Sequence, residues 1–193
     1  MISHSHDFIF VHIGRTGGSS LERLAGAQLT LDSRTRDAGN TDFEGKHFTF
    51  EEYRARYPQE FLDYFKFTII RNPYERLVSA WFWRRNVVKD VSSGLAEFAL
   101  SVPEKWTLKS RMQLNGMSFG ESVDVFDFVA RYEHLDRDLQ YICSKIGLDY
   151  AKFPQTNKTL HEDYTLYYDD MTLELVAEKF AFEIDYFNYQ FGK

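Results

Sequence analysis

The stretch from residue 8 to residue 24 constrains the fold of this chain most strongly. An apolar run over residues 8–13 predicts a short buried strand, a glycine-rich turn over residues 14–20 follows, and a helical pattern begins at Leu21. This order forms an anion-binding arrangement in α/β proteins, because glycines let the backbone approach the ligand and the first N–H groups of the helix point at it. Arg15 adds a planar, positively charged donor group that suits phosphate or sulfate.

The turn departs from the Walker A pattern G-x-x-x-x-G-K-[ST], because no lysine precedes Ser19. A small-molecule kinase of the P-loop fold is therefore disfavoured, and no carboxylate pair is placed in the sequence to hold magnesium. A short glycine motif also fits a βα turn that binds nothing, so the functional interpretation depends on a second motif.

A second strand, turn and helix come later in the chain. Residues 66–71 predict a buried strand, Asn72 is placed as the N-cap of the next helix, and Pro73 as its first residue. Arg71 falls at the carboxyl end of that strand, the edge at which open α/β sheets bind ligands, and Ser79 lies about two turns into the helix. Two such turns, each with an arginine, predict a ligand with two anionic groups.

Other local patterns predict the remaining elements. Thr49 and Glu52 predict a capping box at the start of a helix. Gly147 is expected to end a helix. Cys143 lies on the apolar stripe of that helix and is expected to be a core residue. The remaining predicted elements are an extended segment at residues 48–50, a third strand at residues 126–132, a helix at residues 135–146 and one closing helix at residues 170–187.

Composition limits the class of protein and its partners. The 193 residues suit a single domain over residues 1–193, and the formal net charge of −6 argues against a general nucleic-acid binder. One cysteine fits a reducing compartment, and no signal peptide or membrane span is evident, so we expect a cytoplasmic protein. His4 and His6 are expected in a frayed, solvated terminus rather than at a metal.

Four segments resemble a known family. VHIGRTGGSSLE (residues 11–22) resembles the 5′-phosphosulfate loop of sulfotransferases, whose usual form is P-K-T-G-[GT]-[ST]-[ST]. FTIIRNPYERLVSAW (residues 67–81) resembles their 3′-phosphate motif, in which an arginine at a strand end and a serine eight residues later hold the 3′-phosphate. Residues 126–148 and 157–189 resemble the carbohydrate-sulfotransferase branch, which contains the Golgi heparan and chondroitin enzymes and soluble microbial relatives.

The resemblance implies a P-loop-NTPase-like three-layer α/β fold with a central parallel sheet flanked by helices. It implies a metal-independent transfer of the sulfuryl group of 3′-phosphoadenosine 5′-phosphosulfate (PAPS) to a hydroxyl, with adenosine 3′,5′-bisphosphate (PAP) as the other product. Lys158 and Thr159 would close over the nucleotide, and Arg71 with Ser79 would hold the 3′-phosphate. The residues implied for the 5′ side are Arg15, Thr16, Gly17, Gly18, Ser19 and Ser20.

The general base is predicted less directly. KHFTF resembles the segment that carries the catalytic histidine of the heparan 2-O-sulfotransferase group, which points to His47. An imidazole with a pKa near neutrality is suited to take the proton of an alcohol as the new S–O bond forms. Some relatives use a glutamate, so Glu51 or Glu52 is the alternative, and a surface or packing role for His47 stays open.

Two residues depart from the family pattern, since Arg15 stands where lysine is usual and Gly14 where proline is usual. Arginine supplies charge and hydrogen bonds but does not readily give up a proton. A degenerate member that binds nucleotide or glycan without turnover therefore remains an alternative. The acceptor side is predicted to be lined by aromatic side chains that stack on sugars and arginines that suit an acidic sugar: Trp81, Trp83, Trp106, Arg84 and Arg85.

Overall fold

The computed structural model describes residues 1–18, 20, 21, 24, 48–89, 94–103, 107–109, 123–153 and 161–193. The chain divides into two compact units, of which Met1–Ile70 and Arg111–Thr156 form unit 1, while Arg71–Ser110 and Asn157–Lys193 form unit 2. Each unit contains its own cluster of buried apolar side chains. The single domain expected over residues 1–193 stays a prediction.

The described elements have the following bounds. The strands are β1 (Ile2–Ser3), β2 (Phe8–Val11), β3 (Phe65–Ile70) and β4 (Phe128–Arg131). The helices are α1 (Phe50–Arg56), α2 (Pro58–Asp63), α3 (Pro73–Trp83), α4 (Leu95–Ser101), α5 (Leu135–Ile146), α6 (Asp170–Lys179) and α7 (Ala181–Phe187). A π-helix, Arg84–Val88, continues α3. None of the helices in the described ranges is long and apolar enough to cross a membrane.

Unit 1 is built on a four-stranded sheet of order β1-β2-β3-β4, in which β2, β3 and β4 run parallel and β1 runs antiparallel to β2. The register pairs Val11 with Thr68 and Ile70 with Arg131. Parallel strands are buried on both faces and therefore read as continuous apolar runs, which is why β2 and β3 were evident from sequence. The mainly parallel sheet flanked by helices confirms the predicted α/β class.

The helices of unit 1 begin and end where the sequence places their caps. The amide of Glu52 donates to Thr49 Oγ1 at 3.2 Å, and the amide of Thr49 donates to Glu52 Oε2 at 2.6 Å, so the predicted capping box is present. Gly147 ends α5 with a φ of +68°. Cys143 lies on the buried stripe of α5, and burial raises the pKa of its thiol to about 11, as befits a core residue. The predicted extended segment at residues 48–50 is shorter than expected, because α1 already begins at Phe50.

The N-terminal segment differs from its prediction. Met1–Ser3 is buried, the amino group of Met1 donates to the Phe10 oxygen at 2.7 Å, and His4 Nδ1 lies 3.0 Å from the Tyr64 hydroxyl. The expectation of a frayed, solvated terminus around His4 and His6 is wrong. Strand addition to β2 satisfies backbone groups that would otherwise be exposed at the edge of the sheet, and this pairing is not visible in a two-residue sequence pattern.

Unit 2 is helical in its described part. Its core brings together apolar side chains of α3, α4 and α6, among them Val78, Phe98 and Val176. The single closing helix predicted for residues 170–187 is wrong, because the backbone at Phe180 leaves helical values (φ −112°, ψ 20°) and separates α6 from α7. Phe180 is buried and the Arg76 guanidinium lies 5.1 Å from its ring centre, so tertiary packing that periodicity does not record accompanies this bend.

Candidate functional site

The glycine-rich turn of residues 14–20, which we call the anion loop, follows β2 as predicted. Arg15 and Gly17 have positive φ values of +67° and +87°. Thr16 is fully buried, and its hydroxyl donates to the Ile13 oxygen at 2.7 Å, which closes the turn. The amide of Ser20 donates to the Gly17 oxygen at 3.0 Å. The described residues between 18 and 24 are helical. The predicted strand, turn and helix are therefore present, but β2 ends at Val11 rather than at residue 13, and Gly18 is already helical although the helix was predicted from Leu21.

This geometry refines the roles expected for two loop residues. The Thr16 hydroxyl is engaged within the loop, so Thr16 would meet a ligand through its backbone amide. Arg15 holds a left-handed conformation that costs a non-glycine residue on the order of 1–3 kcal/mol and that is often retained at ligand sites. Its side chain is partly buried in unit 1. The fold thus maintains Arg15 in a strained position within a loop that suits an anion.

A close approach between Gly18 and His12 shapes the anion loop. A Cβ atom built on Gly18 would lie 2.3 Å from His12 Cδ2 and 2.4 Å from His12 Nε2. The His12 ring is buried and stacks on Phe10, with 5.4 Å between ring centres. The sequence pattern placed His12 inside the first strand, whereas His12 lies directly after β2 and its ring lies against the anion loop.

The other side of the anion loop packs against the segment that follows β4. A Cβ atom on Gly17 would lie 3.2 Å from Leu135 Cδ2 and 3.6 Å from the Tyr132 ring. Tyr132 and Leu135 were also missed from the sequence. Their placement follows from the parallel sheet, because the carboxyl ends of β2 and β4 reach the same edge.

Unit 2 begins with Arg71, directly after the last residue of β3. Its side chain is only 7% exposed and forms a two-point contact with Glu75: Nη2 lies 2.8 Å from Oε1, and Nε donates to Oε2 at 3.2 Å. Asn72 caps α3 as predicted, with its side-chain oxygen accepting from the Tyr74 amide at 3.1 Å. The Asn72 amide group also donates to the Gln190 oxygen at 3.0 Å, which ties this turn to the C-terminal segment.

Ser79 lies on the same side of α3 as the Arg71 contact. Glu75 and Ser79 are four residues apart and therefore lie one above the other on one helix face. Since Arg71 reaches Glu75, its guanidinium lies along the face that carries the Ser79 hydroxyl. Ser79 is 1% exposed. Glu75, which Arg71 contacts, thus shares one face of α3 with Ser79, and the binding of a 3′-phosphate by Arg71 and Ser79 stays a prediction.

Several predicted site residues lie outside the described residues: Ser19, His47, Trp106, Lys158 and Thr159. The alternative bases are described. Glu52 is engaged in the capping box, while Glu51 accepts from Arg54 Nη2 at 3.1 Å through Oε1. Its Oε2 is buried and has no hydrogen-bond partner within the described ranges.

Two of the predicted acceptor residues, Trp81 and Arg85, belong to an aromatic cluster in unit 2. The ring centres of Trp81 and Tyr167 are 6.0 Å apart, and the Phe82 ring stacks on His161 at 5.4 Å. The Arg85 guanidinium lies 4.8 Å from the Trp81 ring centre. Arg84 lies 5.9 Å from the Phe98 ring centre, and Trp83 is 39% exposed. Within the part of the chain that is described, no group of three or more His, Cys, Asp or Glu side chains is arranged to hold a metal ion.

Replacing Gly18 by alanine tests the close approach in the anion loop. We expect Gly18→Ala to lower the free energy of unfolding by about 1–3 kcal/mol, because the new methyl group meets the His12 ring in a packed interior. Gly14→Ala is the matched control, since a Cβ atom there meets no atom within 4 Å. Chemical denaturation of both variants measures the difference, and equal losses at the two positions would contradict the packing described.

A double variant separates this contact from a general loss of stability. In a His12→Ala background the Gly18→Ala change should cost clearly less, because the ring that opposes the methyl group is gone.

Comparison with known proteins agrees with this geometry. The family model described as "Sulfotransferase family" matches residues 1–190. The crystal structure of mouse sulfotransferase SULT7A1 complexed with PAP shares the fold, with a TM-score of 0.52 and 16% sequence identity over 92% of this chain and 85% of that chain. No curated protein sequence matches the chain. The match over nearly its whole length shows that the chain belongs to the sulfotransferase family.

Proposed function

We propose that this chain transfers the sulfuryl group of PAPS to a hydroxyl group of a saccharide or glycan. The observation that carries the proposal is the pair of strand-to-helix turns that the structure describes, one after β2 and one after β3, each with an arginine. The PAP bound to the mouse fold neighbour supports the choice of donor. The chain has a formal net charge of −6, so we expect local geometry rather than overall field to hold such an anion.

The anion loop would hold the 5′ side of the donor. Its backbone amides at the start of the helix suit the phosphosulfate oxygens, and Arg15 supplies a fixed positive charge. Ser19 and Ser20 would add hydroxyl donors, and Lys158 with Thr159 would close over the nucleotide. Arg71 and Ser79 would hold the 3′-phosphate, which distinguishes PAPS from other adenine nucleotides.

The transfer would proceed by attack of the acceptor oxygen on sulfur. His47 would take the hydroxyl proton as the new S–O bond forms, with Glu51 or Glu52 as the alternative base. The bond between sulfur and the bridging oxygen of the 5′-phosphate breaks, and PAP leaves with the electron pair. Arg15 would neutralise the charge that develops on that oxygen, in the manner of an arginine in phosphoryl transfer.

The acceptor class is supported by the aromatic cluster of unit 2. Trp81, Phe82 and Tyr167 offer ring surfaces, and Arg85 lies against Trp81. Aromatic faces combined with guanidinium groups suit a sugar that carries a carboxylate or sulfate. This chemistry agrees with the resemblance to the carbohydrate branch and its soluble microbial members. A cytoplasmic location belongs to the same proposal.

Two other functions remain as alternatives. A P-loop small-molecule kinase would require ATP with magnesium, and the anion loop lacks the lysine of the Walker A pattern. A family member without turnover would bind nucleotide or glycan only, and Arg15 in place of the usual lysine is the feature that favours it.

Calorimetric titration with PAP tests the donor assignment. We expect wild-type protein to bind PAP more tightly than 5′-AMP or ATP with magnesium. Arg71→Ala and Ser79→Ala should each weaken PAP binding by about tenfold or more, because a hydrogen bond to a charged group is worth ~1.5–3 kcal/mol. Preference for ATP with magnesium would support the kinase alternative and contradict the proposal.

Turnover of sulfur-labelled PAPS with a panel of hydroxyl-bearing saccharides tests catalysis. We expect Arg15→Ala to lower kcat by about 10²–10³-fold and also to weaken PAP binding, because it removes a positive charge from the 5′ side. We expect His47→Ala to lower kcat by about 10²–10⁴-fold while PAP binding stays within a few-fold of wild type. Glu51→Gln and Glu52→Gln are the matching variants. A larger loss of kcat in either variant than in His47→Ala would identify that glutamate as the general base. PAP binding without turnover on the whole panel would favour the non-catalytic alternative.

A further inference from the structure

Arg71 is held by a two-point contact that the sequence motif does not specify. The motif names an arginine and a serine eight residues later, whereas the structure adds a carboxylate between them. Glu75 accepts from the Nε and Nη2 side of the guanidinium at 3.2 and 2.8 Å, and Arg71 is almost fully buried. Contacts of this kind fix the orientation of the planar group as well as its position.

The location of Glu75 suits it to hold the Arg71 guanidinium. It lies in the first turn of α3, where a carboxylate is stabilised by the helix dipole, and it is 29% exposed. Its charge also compensates the nearly buried guanidinium, which would be costly to leave without an opposite charge.

The next arginine along the chain, Arg76, has a different carboxylate partner. Arg76 pairs with Glu183 of α7, with 3.7 Å between Nη2 and Oε1, and its guanidinium lies near the Phe180 ring. Glu183 also accepts from the Leu108 amide at 2.5 Å, so this second pair is part of the buried packing of unit 2. Glu183 thus holds Arg76 in the buried packing of unit 2, whereas Glu75 holds Arg71 along the helix face that carries Ser79.

We propose that Glu75 is a positioning residue that orients Arg71 for a phosphate monoester, an inference that rests on the proposed donor site. A guanidinium carries five N–H donors in one plane, and Glu75 engages the Nε–Nη2 edge. The phosphate would meet the guanidinium on the helix face that carries Ser79. Glu75 reduces the rotamer freedom that Arg71 would otherwise lose when the ligand binds.

Titration of PAP and of 5′-AMP into Glu75 variants tests this inference. We expect Glu75→Ala to weaken PAP binding on the order of tenfold, the scale at which outer hydrogen-bond partners act in other sites, and to leave 5′-AMP binding unchanged. Glu75→Gln keeps one acceptor oxygen and should fall between wild type and Glu75→Ala. Glu174→Gln, an exposed residue of α6, is the matched control and should bind like wild type.

The same measurement in an Arg71→Ala background separates positioning from a structural effect. Glu75→Ala should then cause no further loss, because the residue it positions is absent. Thermal unfolding checks that each variant is folded. Unchanged or tighter PAP binding in Glu75→Ala, or an equal loss in the Arg71→Ala background, would overturn the inference while leaving the donor site intact. A wild-type protein that does not prefer PAP to 5′-AMP would overturn the donor site itself, and the inference with it.

Discussion

Parallel pairing of β2 with β3 is the constraint on which the candidate site depends. Because these strands run in the same direction, the anion loop follows β2 at the edge of the sheet where β3 also ends. β4 adds a third parallel end, and the residues after it, Tyr132 and Leu135, support Gly17. A one-residue slip in the register would turn the buried side chains of a strand to the opposite face of the sheet. The buried apolar faces of β2 and β3 thus serve the site as well as stability.

The proposed anion recognition would depend on local arrangement rather than on net charge. The chain is acidic overall, yet Arg15 lies in a strained loop and Arg71 lies almost buried against Glu75. The Glu75 carboxylate fixes the Arg71 guanidinium, while the turn fixes the backbone position of Arg15. Such preorganisation lowers the entropy that binding must otherwise overcome. It would also let an acidic protein of the sulfotransferase family hold the doubly anionic donor proposed above.

The sequence predicted those features that local chemistry determines. The apolar runs located β2, β3 and β4 to within two residues, and the caps at Thr49, Asn72 and Gly147 are confirmed. Features that need tertiary contacts were missed or wrong. Four such features depend on three-dimensional packing. They are the pairing of β1, the bend at Phe180, the contact of His12 with Gly18 and the contact of Arg71 with Glu75. The motif gave the identity of the arginine and the serine but not the means by which the arginine is held.

Phosphorus NMR of PAP titrated with the protein tests the central claim most directly, because the 3′- and 5′-phosphorus nuclei give separate signals. The account predicts that both signals shift or broaden with wild-type protein. The response at the 3′-phosphorus should be lost selectively in Arg71→Ala, and that at the 5′-phosphorus should be reduced selectively in Gly18→Ala. A wild-type response at only one phosphorus, or an equal loss at both in each variant, would contradict the assignment of the two turns to the two ends of one nucleotide.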